Sequence, residues 1–287
     1  MTKNIAETRT AALYVAATPL GNRADITHRV IEVLQDVDAI ACEDTRHTRH
    51  LLDQYGIRTP TFALHEHNEA AAAQKLVSKL AAGQRVALVS DAGTPAISDP
   101  GARAVAAVRA AGFPVVPLPG PNAAITALSA SGLDDTQFLF VGFLPNKSSA
   151  RRQKIEALRS VDATLVFYEA PHRILEMVSD LAELLEPQRT LVIARELTKL
   201  FEQIVSMPLK EGPDWLRAEA NHQRGEFVVL ISAAPPNLGL SSDTLRTLKQ
   251  LLAELPLKQA VKLAVEITGA PKNELYEIAL TLKDEGL

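Results

Sequence analysis

The residue types best suited to binding a ligand are concentrated between positions 88 and 101, where the chain reads LVSDAGTPAISDPG. Two carboxylates, Asp91 and Asp99, and several hydroxyls lie here between an apolar run and the start of a predicted helix. Gly93 allows the backbone to approach a ligand closely. An ordinary turn is the alternative interpretation, but the segment is longer and more polar than a strand-to-helix connection requires. We therefore predict that it forms one wall of a binding pocket.

Two further polar loops follow apolar runs, at residues 18–22 (TPLGN) and 119–122 (PGPN). In a parallel sheet the carboxyl ends of the strands lie along one edge, and ligands bind there. The three loops should therefore converge, although each loop by itself is more often a structural turn. Their combination favours a pocket over three unrelated turns.

A charged segment, Glu43-Asp44-Thr45-Arg46, also follows an apolar run and belongs to the same predicted edge. Its acids suit the start of a solvated helix, where the helix dipole favours negative charge. Arg46 and Arg49 could instead face a phosphate backbone, and the sequence leaves both interpretations open. The triplet His65-Glu66-His67 has a spacing compatible with a pair of metal ligands. Because no third ligand stands out, we expect no metal site.

The second half of the chain carries two comparable segments, YEAPHR at 168–173 and RELTK at 195–199, each after an apolar run. They could be turns with a surface ion pair, or the opposite wall of a cleft. A basic cluster begins at position 147, and most such clusters are solvated surfaces. In a chain of net charge −4 this cluster could instead contact an RNA backbone. Its members are Lys147, Arg151, Arg152, Lys154 and Arg159.

The elements that must position these segments alternate between strands and helices along the first half of the chain. Apolar runs predict strands near 13–17, 39–42, 61–64, 86–89 and 114–118. Asp25 is predicted to cap the first helix and Asp99 a later one, with Pro100 at its first helical position. The alternation predicts a mainly parallel α/β sheet.

The same alternation resumes after a linker at 131–135, with strands predicted near 138–141, 164–168, 191–194 and 227–231. We predict a flexible tail at 1–11, an N-terminal α/β domain at 12–131, a second α/β domain at 136–235 and a helical segment at 241–287. The helical segment has the spacing of a helix-turn-helix. Its mixed charges favour a packing or dimer-supporting bundle over a DNA-binding surface.

The composition narrows the class of protein. The 287 residues are 47% hydrophobic, enough for a sizeable core, whereas an aromatic content of 5% argues against a base-stacking RNA-binding sheet. One cysteine permits no disulfide within the chain and indicates a reducing compartment. The sequence contains neither a recognisable signal peptide nor an apolar run of membrane-spanning length. These features predict a cytoplasmic protein that does not bind a membrane.

A family resemblance rests on seven strings that occur in order: ATPLGNRADIT (17–27), EDTRHTR (43–49), SDAGTPAISDPG (90–101), LPGPNAA (118–124), GFLP (142–145), FYEAPHR (167–173) and ARELTK (194–199). Together they resemble the ribosomal RNA small subunit methyltransferase I family, within the tetrapyrrole methylase superfamily, over about residues 12–232. The resemblance implies two α/β domains of tetrapyrrole-methylase type, with S-adenosyl-L-methionine in the cleft between them. It also implies a homodimer that methylates the ribose 2′-hydroxyl of a cytidine in the decoding region of small-subunit (16S) ribosomal RNA.

The resemblance also assigns residues to the cofactor. Contacts of the superfamily fall on the loop after the first strand, the acidic loop, the loop after the P-G turn and two strand ends of the second domain. They correspond here to Pro19, Leu20, Asp91, Gly93, Thr94, Asn122, Ala123, Tyr168 and Arg195. Many superfamily members carry G-D-P where this chain has Ser90-Asp91-Ala92. That departure favours RNA over a tetrapyrrole as the substrate.

A ribose hydroxyl is a weak nucleophile and benefits from a base, or from a cation that stabilises the developing alkoxide. Position and chemistry offer Asp44, Glu169, Glu196 and Lys199 as catalytic candidates, and the sequence does not decide between them. A lysine would need a lowered pKa to act as the base. The candidate RNA contacts are Arg46, Arg49, Lys147, Arg151 and Arg152.

The sequence also leaves two other functions possible. One is a methyltransferase that acts on a tetrapyrrole or another small molecule, and the other is a non-catalytic regulator that binds a metabolite. If the substrate is RNA, an acidic surface without aromatic stacking pairs gains little from an unstructured strand. We therefore expect the assembled small subunit to be preferred over free ribosomal RNA, because an ordered substrate costs less entropy to bind.

Overall fold

The computed structural model describes residues 10–65, 68–235 and 242–284. Most of the tail predicted at 1–11 therefore lies outside the described residues. The chain divides into a larger compact unit, residues 1–158 and 163–233, and a smaller unit, residues 159–162 and 234–287. In the described part, the larger unit contains two five-stranded sheets and the smaller contains the C-terminal helices.

The first sheet consists of β1 (Leu13–Ala16), β2 (Ala39–Cys42), β3 (Thr61–Ala63), β4 (Val86–Val89) and β5 (Val115–Leu118). Its order is β3-β2-β4-β1-β5, and all its pairings are parallel, as the sequence predicts. Every residue of β2 and β4 is buried. Such strands occur where helices cover both faces of a parallel sheet.

The first half of the chain contributes five helices, α1 (His28–Asp36), α2 (Thr45–Gln54), α3 (Glu69–Ala81), α4 (Ala102–Ala110) and α5 (Ala123–Ala130). One apolar cluster joins Leu76 and Leu80 of α3 to strand residues such as Leu88. A second cluster joins Val30 and Leu34 of α1 to other residues of the same sheet. The two clusters form the core, and they hold the strands in register.

Two helix starts differ from the sequence prediction. Thr27 caps α1 through a hydrogen bond from the Val30 N–H, whereas Asp25 lies in a preceding 3-10 turn. Helix α4 begins at Ala102, so Asp99 is not its cap and Pro100 is not its first residue. Glu69 of α3 performs this capping instead, since its Oε1 accepts from the N–H groups of Gly101 and Arg103 at 3.0 and 3.1 Å.

The second sheet consists of β6 (Phe138–Phe143), β7 (Thr164–Glu169), β8 (Thr190–Arg195), β9 (Gln203–Pro208) and β10 (Phe227–Ile231). Its order is β6-β7-β10-β8-β9, and only the β6–β7 pairing is parallel. The sequence did not predict β9, an edge strand without fully buried residues. Helices α6 (Ser148–Leu158), α7 (Ile174–Leu184) and α8 (Gly212–Ala218) accompany this sheet.

Helix α5 links the two halves of the larger unit. It follows the last strand of the first sheet, yet Ala124 and Ala127 pack with Val166, Val192 and Leu230 of the second sheet. Small residues on α5 allow this close approach to the strands. The helix that follows the first sheet therefore packs on the second sheet, and this contact joins the two halves of the larger unit.

The smaller unit contains helices α9 (Ser242–Glu254), α10 (Leu257–Thr268) and α11 (Lys272–Asp284). Leu248, Val261 and Leu275, one from each helix, meet in its core. Gly269 ends α10 at φ 70°, a left-handed conformation that glycine adopts readily. Across the described ranges, the helices are too short or too polar to cross a lipid bilayer.

Candidate functional site

A cavity of about 400 Å³ lies in the larger unit, lined by loops from both sheets. The side that comes from the first half of the chain is called the first wall here, and the side from the second half is called the second wall. The first wall comprises Leu20 and residues 91–94, 97–99 and 122–123. The second wall comprises Phe143, Leu197 and residues 168–171 and 226–228.

The three polar loops predicted to converge do so on the first wall. Thr18 and Gly93 exchange two backbone hydrogen bonds, at 2.9 and 3.0 Å, which join the loops after β1 and β4. The Thr94 hydroxyl donates to the Pro121 carbonyl at 2.8 Å, which joins the loops after β4 and β5. The convergence inferred from parallel strand ends is thereby confirmed.

The backbone of the first wall is tightly constrained. Gly93 has φ 79°, and a Cβ at this position would lie 3.2 Å from Leu20. Ala96 and Ser98 are also left-handed, at φ 68° and 64°. Non-glycine residues rarely adopt this conformation, and strain of this kind concentrates at functional sites.

Two carboxylates of the first wall have no salt-bridge cation within the described ranges of the chain. Asp91 Oδ1 accepts a hydrogen bond from the Asp44 N–H at 3.2 Å. Burial raises the pKa of Asp99 to about 6, Glu43 and Asp91 add repulsion, and the Ser90 hydroxyl opposes the shift. This wall therefore presents negative charge to the cavity, which suits a cationic ligand.

Tyr168 ties the second wall to helix α5. Its hydroxyl accepts a hydrogen bond from the Ala124 N–H at 3.1 Å. Phe140 and Phe143 pack edge-on against its ring, with centroids 5.0 and 5.8 Å away. Burial raises the pKa of Tyr168, so the phenol stays protonated at neutral pH.

Glu169 is the buried carboxylate of the second wall. Its side chain is 0% exposed and lies 3.2 Å from the guanidinium of Arg173, and its Oε1 accepts from the Ala170 N–H at 2.8 Å. Burial raises the pKa of Glu169, while the Ala170 N–H and Arg173 oppose that shift. The arrangement neutralises Glu169 within the wall.

Lys199 bridges two glutamates beside the cavity. Its Nζ lies 2.9 Å from Glu196 and 2.8 Å from Glu226. Burial favours a lower pKa for Lys199, but the two carboxylates outweigh burial and leave the pKa raised. A lysine in this state is a stable cation, so the structure argues against Lys199 as the base.

The segment around Lys199 also touches the first half of the chain. The Asn22 N–H donates to the Thr198 hydroxyl at 3.0 Å. The Lys199 side chain lies so close to Gly21 that a Cβ there would be 2.3 Å from Lys199 Cγ. Glu196 and Thr198 adopt left-handed conformations, at φ 50° and 66°. This contact is a second link between the two halves of the larger unit.

The structure places the predicted cofactor residues unevenly. Pro19 is buried and Arg195 is fixed by Gln203 and by the carbonyls of Asn221 and Arg224, and neither lines the cavity. The other predicted residues do line it, namely Leu20, Asp91, Gly93, Thr94, Asn122, Ala123 and Tyr168.

Among the predicted catalytic residues, Glu169 lines the cavity, whereas Glu196 and Lys199 lie beside it. Asp44 caps α2, accepting from the N–H groups of Arg46 and His47 at 2.8 and 3.4 Å. These backbone contacts lower the pKa of Asp44. The helix-start interpretation therefore holds for Asp44, and its side chain is not part of the cavity wall.

The basic candidates separate into exposed and buried or occupied side chains, and exposed Arg46 has one contact, from its Nη2 to Asp44 Oδ2 at 3.5 Å. The side chain of Arg46 is 93% exposed, and Lys147 is also exposed. Arg49 donates to the carbonyls of Ile57 and Thr59 at 3.2 and 2.9 Å.

Arg151 and Arg152 require a correction. Arg151 is 3% exposed, and its Nε lies 2.6 Å from Asp180. Arg152 pairs with Asp180 and Glu183 at 2.8 and 2.6 Å. Their guanidinium groups neutralise acids of α7, so the structure contradicts an open phosphate-binding surface at these two positions.

Sequence reasoning missed the part of the second wall formed by residues 226–228. Glu226 precedes β10, and Phe227, the first residue of the strand, pairs with both Glu169 and Arg195. Because β10 is antiparallel to both neighbours, its amino end meets the cavity. A rule based on the carboxyl ends of parallel strands cannot find it. Phe143 was not predicted, and Leu197 lies within the predicted segment 195–199 but was not named as a site residue, because apolar residues next to polar motifs carry no separate signal.

The described residues contain no cluster of three or more side chains suited to binding a metal ion. Of the His65-Glu66-His67 triplet, Glu66 and His67 lie outside the described residues.

Comparison with known proteins gives consistent findings. Residues 12–213 match the family of tetrapyrrole (corrin/porphyrin) methylases, and residues 239–283 match the RsmI C-terminal HTH domain. The chain is 49% identical over 271 residues to ribosomal RNA small subunit methyltransferase I of Pseudomonas aeruginosa, covering 93% of this chain and 96% of the relative. It is 52% identical over 270 residues to the protein of the same name from Vibrio cholerae, covering 93% and 94%.

Among solved structures, the fold is similar to that of uroporphyrin-III C-methyltransferase from Thermus thermophilus, solved as a complex with S-adenosylhomocysteine. The TM-score is 0.52 at 17% sequence identity, and the match covers 77% of this chain and 97% of the other. At this identity the likeness concerns the fold alone, and it agrees with the two α/β sheets described above.

Proposed function

This chain belongs to the ribosomal RNA small subunit methyltransferase I family, and on that premise we propose that it methylates the ribose 2′-hydroxyl of a cytidine. The substrate is the decoding region of small-subunit (16S) ribosomal RNA, and the methyl donor is S-adenosyl-L-methionine. The observation that carries the proposal is the cavity between the two walls, whose first wall exposes carboxylates without cationic partners in the described chain.

The residues of the cavity fit this donor. When bound, S-adenosylmethionine supplies an electrophilic methyl group on a positively charged sulfur. The carboxylate of Asp91 would attract the positive charges of the ligand. Leu20, Ala123 and Val228 offer apolar surface for an adenosine group, and Gly93 lets the backbone approach closely.

The chain contributes mainly positioning. Methyl transfer requires the hydroxyl oxygen opposite the leaving sulfur, about 3 Å from the methyl carbon. The hydrogen bonds between Thr18 and Gly93 and between Thr94 and Pro121 fix the first wall, and the contact between Ala124 and Tyr168 holds the second wall in place. Such preorganised walls lower the entropy cost of bringing the two substrates together.

Two exposed cations are proposed to contact the RNA backbone at the mouth of the cavity. Arg46 lies in the first turn of α2, directly after β2, and the adjacent Asp44 N–H contacts Asp91 of the first wall. Lys147 follows β6, which ends at Phe143 of the second wall. Both cations therefore lie exposed at the cavity end of their sheets, where they can reach phosphates, although Arg46 also contacts Asp44 at 3.5 Å.

Reversing both charges, with Arg46→Glu and Lys147→Glu, should weaken RNA binding. It should also lower the slope of log affinity against log salt concentration by the amount expected for about two lost phosphate contacts. Lys210→Glu is the matched control, because Lys210 is exposed just after β9, at the sheet end opposite Arg195. Filter binding from low to high salt measures both quantities. Equal salt slopes for the double variant and the wild type would contradict the assignment.

Three finer features belong to the same proposal. An acidic surface with local basic patches favours the assembled small subunit over free RNA.

A homodimer is supported by β6, an edge strand whose Phe138 and Leu139 are 49% and 39% exposed. A ribosomal substrate and a single cysteine are consistent with a cytoplasmic location. Sedimentation velocity tests the dimer.

The test of function is transfer of tritium from labelled S-adenosylmethionine to assembled small subunits, protein-free ribosomal RNA and a tetrapyrrole, side by side. We expect the label in the small subunit, at a nucleotide whose 3′ linkage resists alkaline cleavage because its 2′-oxygen is methylated. Label in a base, or in the tetrapyrrole alone, would overturn the proposed chemistry. Equal labelling of protein-free RNA would overturn the preference for the assembled subunit.

A further inference from the structure

Glu69 is a buried carboxylate that belongs to one helix and caps another. It is the first residue of α3 and is 8% exposed. Its Oε1 accepts the N–H groups of Gly101 and Arg103, at 3.0 and 3.1 Å, which lie 32 and 34 positions further along the chain. Both N–H groups are at the start of α4, where a helix has no internal acceptor for them. Glu69 therefore fixes the place at which the loop after β4 enters α4.

The loop after β4 has no cap of its own at this end. Gly101, which precedes α4, has no side chain with which to cap it. A Cβ at Gly101 would lie 2.9 Å from the Leu88 side chain, so the backbone passes close to β4 here. Ala96 and Ser98, a few residues earlier, are left-handed at φ 68° and 64°. Such conformations persist only where the surrounding structure holds them, and Glu69 holds the end of the loop at α4.

Glu69 is itself held on both sides. Before it, Asn68 Oδ1 accepts the His65 N–H at 2.8 Å, and the Asn68 amide donates to the Ala63 carbonyl at 3.2 Å. These two contacts fix the turn between β3 and α3. After it, apolar residues of α3 and α4 pack together in one buried cluster. The carboxylate therefore reaches α4 from a fixed position.

The loop that Glu69 holds forms most of the first wall. Residues 97–99 line the cavity and end two positions before Gly101, and residues 91–94 line it near β4. The end near β4 is anchored by the contacts of Gly93 with Thr18 and of Thr94 with Pro121. The two ends of the loop therefore have separate anchors, and Glu69 is the anchor at α4.

We propose that Glu69 is a positioning residue, which holds the first wall in the conformation that binds S-adenosyl-L-methionine. The inference rests on the proposed function. Glu69 does not line the cavity, so it acts through the loop and not by contact with the donor. Without its carboxylate, the two N–H groups at the start of α4 lose their acceptor, and the loop adopts the binding conformation for a smaller fraction of the time. The apparent affinity for the donor falls by that fraction.

The test compares Glu69→Ala, which removes the acceptor, with Glu69→Gln, which keeps an oxygen for the two N–H groups. Thr27→Ala is the matched control, because Thr27 caps α1 through the Val30 N–H at 3.2 Å and does not line the cavity. Calorimetry measures the affinity for S-adenosylmethionine, and denaturant titration measures the free energy of unfolding. Methyl transfer to assembled small subunits gives kcat and the KM for the donor.

We expect Glu69→Ala to bind the donor about tenfold more weakly, and Glu69→Gln to recover most of the loss. The KM for the donor should rise in proportion, whereas kcat should stay within about twofold of the wild type, because saturating donor restores the wall. Thr27→Ala should lower the free energy of unfolding and keep the wild-type affinity. Wild-type affinity in Glu69→Ala, a loss of affinity that Thr27→Ala shares, or a fall in kcat with unchanged KM would overturn the proposal.

If Glu69→Ala fails to fold, hydrogen exchange of the wild-type protein decides the assignment. The donor should slow exchange of the Gly101 and Arg103 amides and leave the Val30 amide unchanged, because the coupling between cap and donor is reciprocal. Unchanged exchange at Gly101 and Arg103 would overturn the proposal. Failure of the wild type to methylate a ribose, with these effects on donor binding present, would instead reject the proposed function and leave the role of Glu69 intact.

Discussion

The two walls of the cavity treat negative charge in opposite ways. On the second wall, each carboxylate is matched by a cation of the same half of the chain, Glu169 by Arg173 and Glu226 by Lys199. On the first wall, Asp91 and Asp99 have no such cation within the described residues. The cations of the second wall neutralise its carboxylates, whereas the negative charge of the first wall remains available to a ligand that enters the cavity.

The difference indicates a division of labour. A buried ion pair contributes little net stability but leaves an uncompensated charge when one partner is removed, so the second wall is fixed by its pairs. A half-buried carboxylate without a cation costs stability, and a protein keeps such a group where a ligand uses it. The carboxylates of the first wall are therefore suited to recognition of the ligand and to chemistry, whereas the ion pairs of the second wall fix the shape of the cavity.

The largest expected effect comes from breaking the paired wall. Glu169→Ala removes a fully buried carboxylate and leaves Arg173 without its charge partner, which should lower the free energy of unfolding by about 3 kcal/mol. Glu169→Gln keeps an acceptor for the Ala170 N–H and should lose less. Denaturant titration checks both variants. A loss below about 1 kcal/mol for the alanine variant would mean that the pair behaves like an exposed ion pair.

A smaller effect, on binding rather than folding, is expected from the open wall. Asp91→Ala should weaken S-adenosylmethionine binding by about tenfold, equivalent to about 1.4 kcal/mol, because a carboxylate facing a cationic ligand is lost. Unfolding free energy should fall by no more than about 1 kcal/mol for the hydrogen bond from Asp44. Calorimetry measures the affinity, with exposed Asp134→Ala as the control. Unchanged affinity for S-adenosylmethionine would show that the loop after β4 is only a structural turn.

The smallest effect is a change in how stability depends on pH. The pKa of Asp99, about 6 when folded, exceeds the unfolded value of about 3.9. Its contribution to stability is therefore complete below about pH 4 and is lost as the pH rises through about 6. Asp99→Asn should remove this loss and gain about 1 to 2 kcal/mol on the wild type between pH 4 and 7.5, after allowance for solvent screening.

Denaturant titrations of Asp99→Asn, Asp134→Asn and the wild type at several pH values check this prediction. The difference between Asp99→Asn and the wild type should grow with pH, whereas the control should follow the wild type. A difference that shrinks as the pH rises would show that the folded protein stabilises the ionised form of Asp99. The first wall would then resemble the second.

Much of the first sheet follows from the sequence. The apolar runs of β2 and β4 are fully buried strands, and a parallel sheet brings their carboxyl ends together whatever the remaining contacts are. The convergence of the loops at Gly93 and Pro121 was therefore predictable from local patterns and one topological rule. Most of the residues that the motif strings assign to a cofactor also line the cavity.

The second sheet was less predictable for a topological reason. Its antiparallel strand β10 brings an amino end to the cavity, and its edge strand β9 lacks the buried alternation that a pattern could detect. The residues of a strand by themselves determine neither its orientation in the sheet nor whether it lies at an edge. Both depend on which neighbours it pairs with.

The sequence by itself determined which side chains are chemically capable: the acids of the loop after β4, the glutamates of the second half and the basic helix α6. Tertiary structure alone decided which of them are free. Glu69, and not Asp99, accepts the N–H group of Gly101, 32 positions away in the chain. Asp180 of α7 pairs with Arg151, whose side chain is buried. The physical reason is that a charge is neutralised by whatever lies within a few ångströms of it, and those neighbours come from distant parts of the chain.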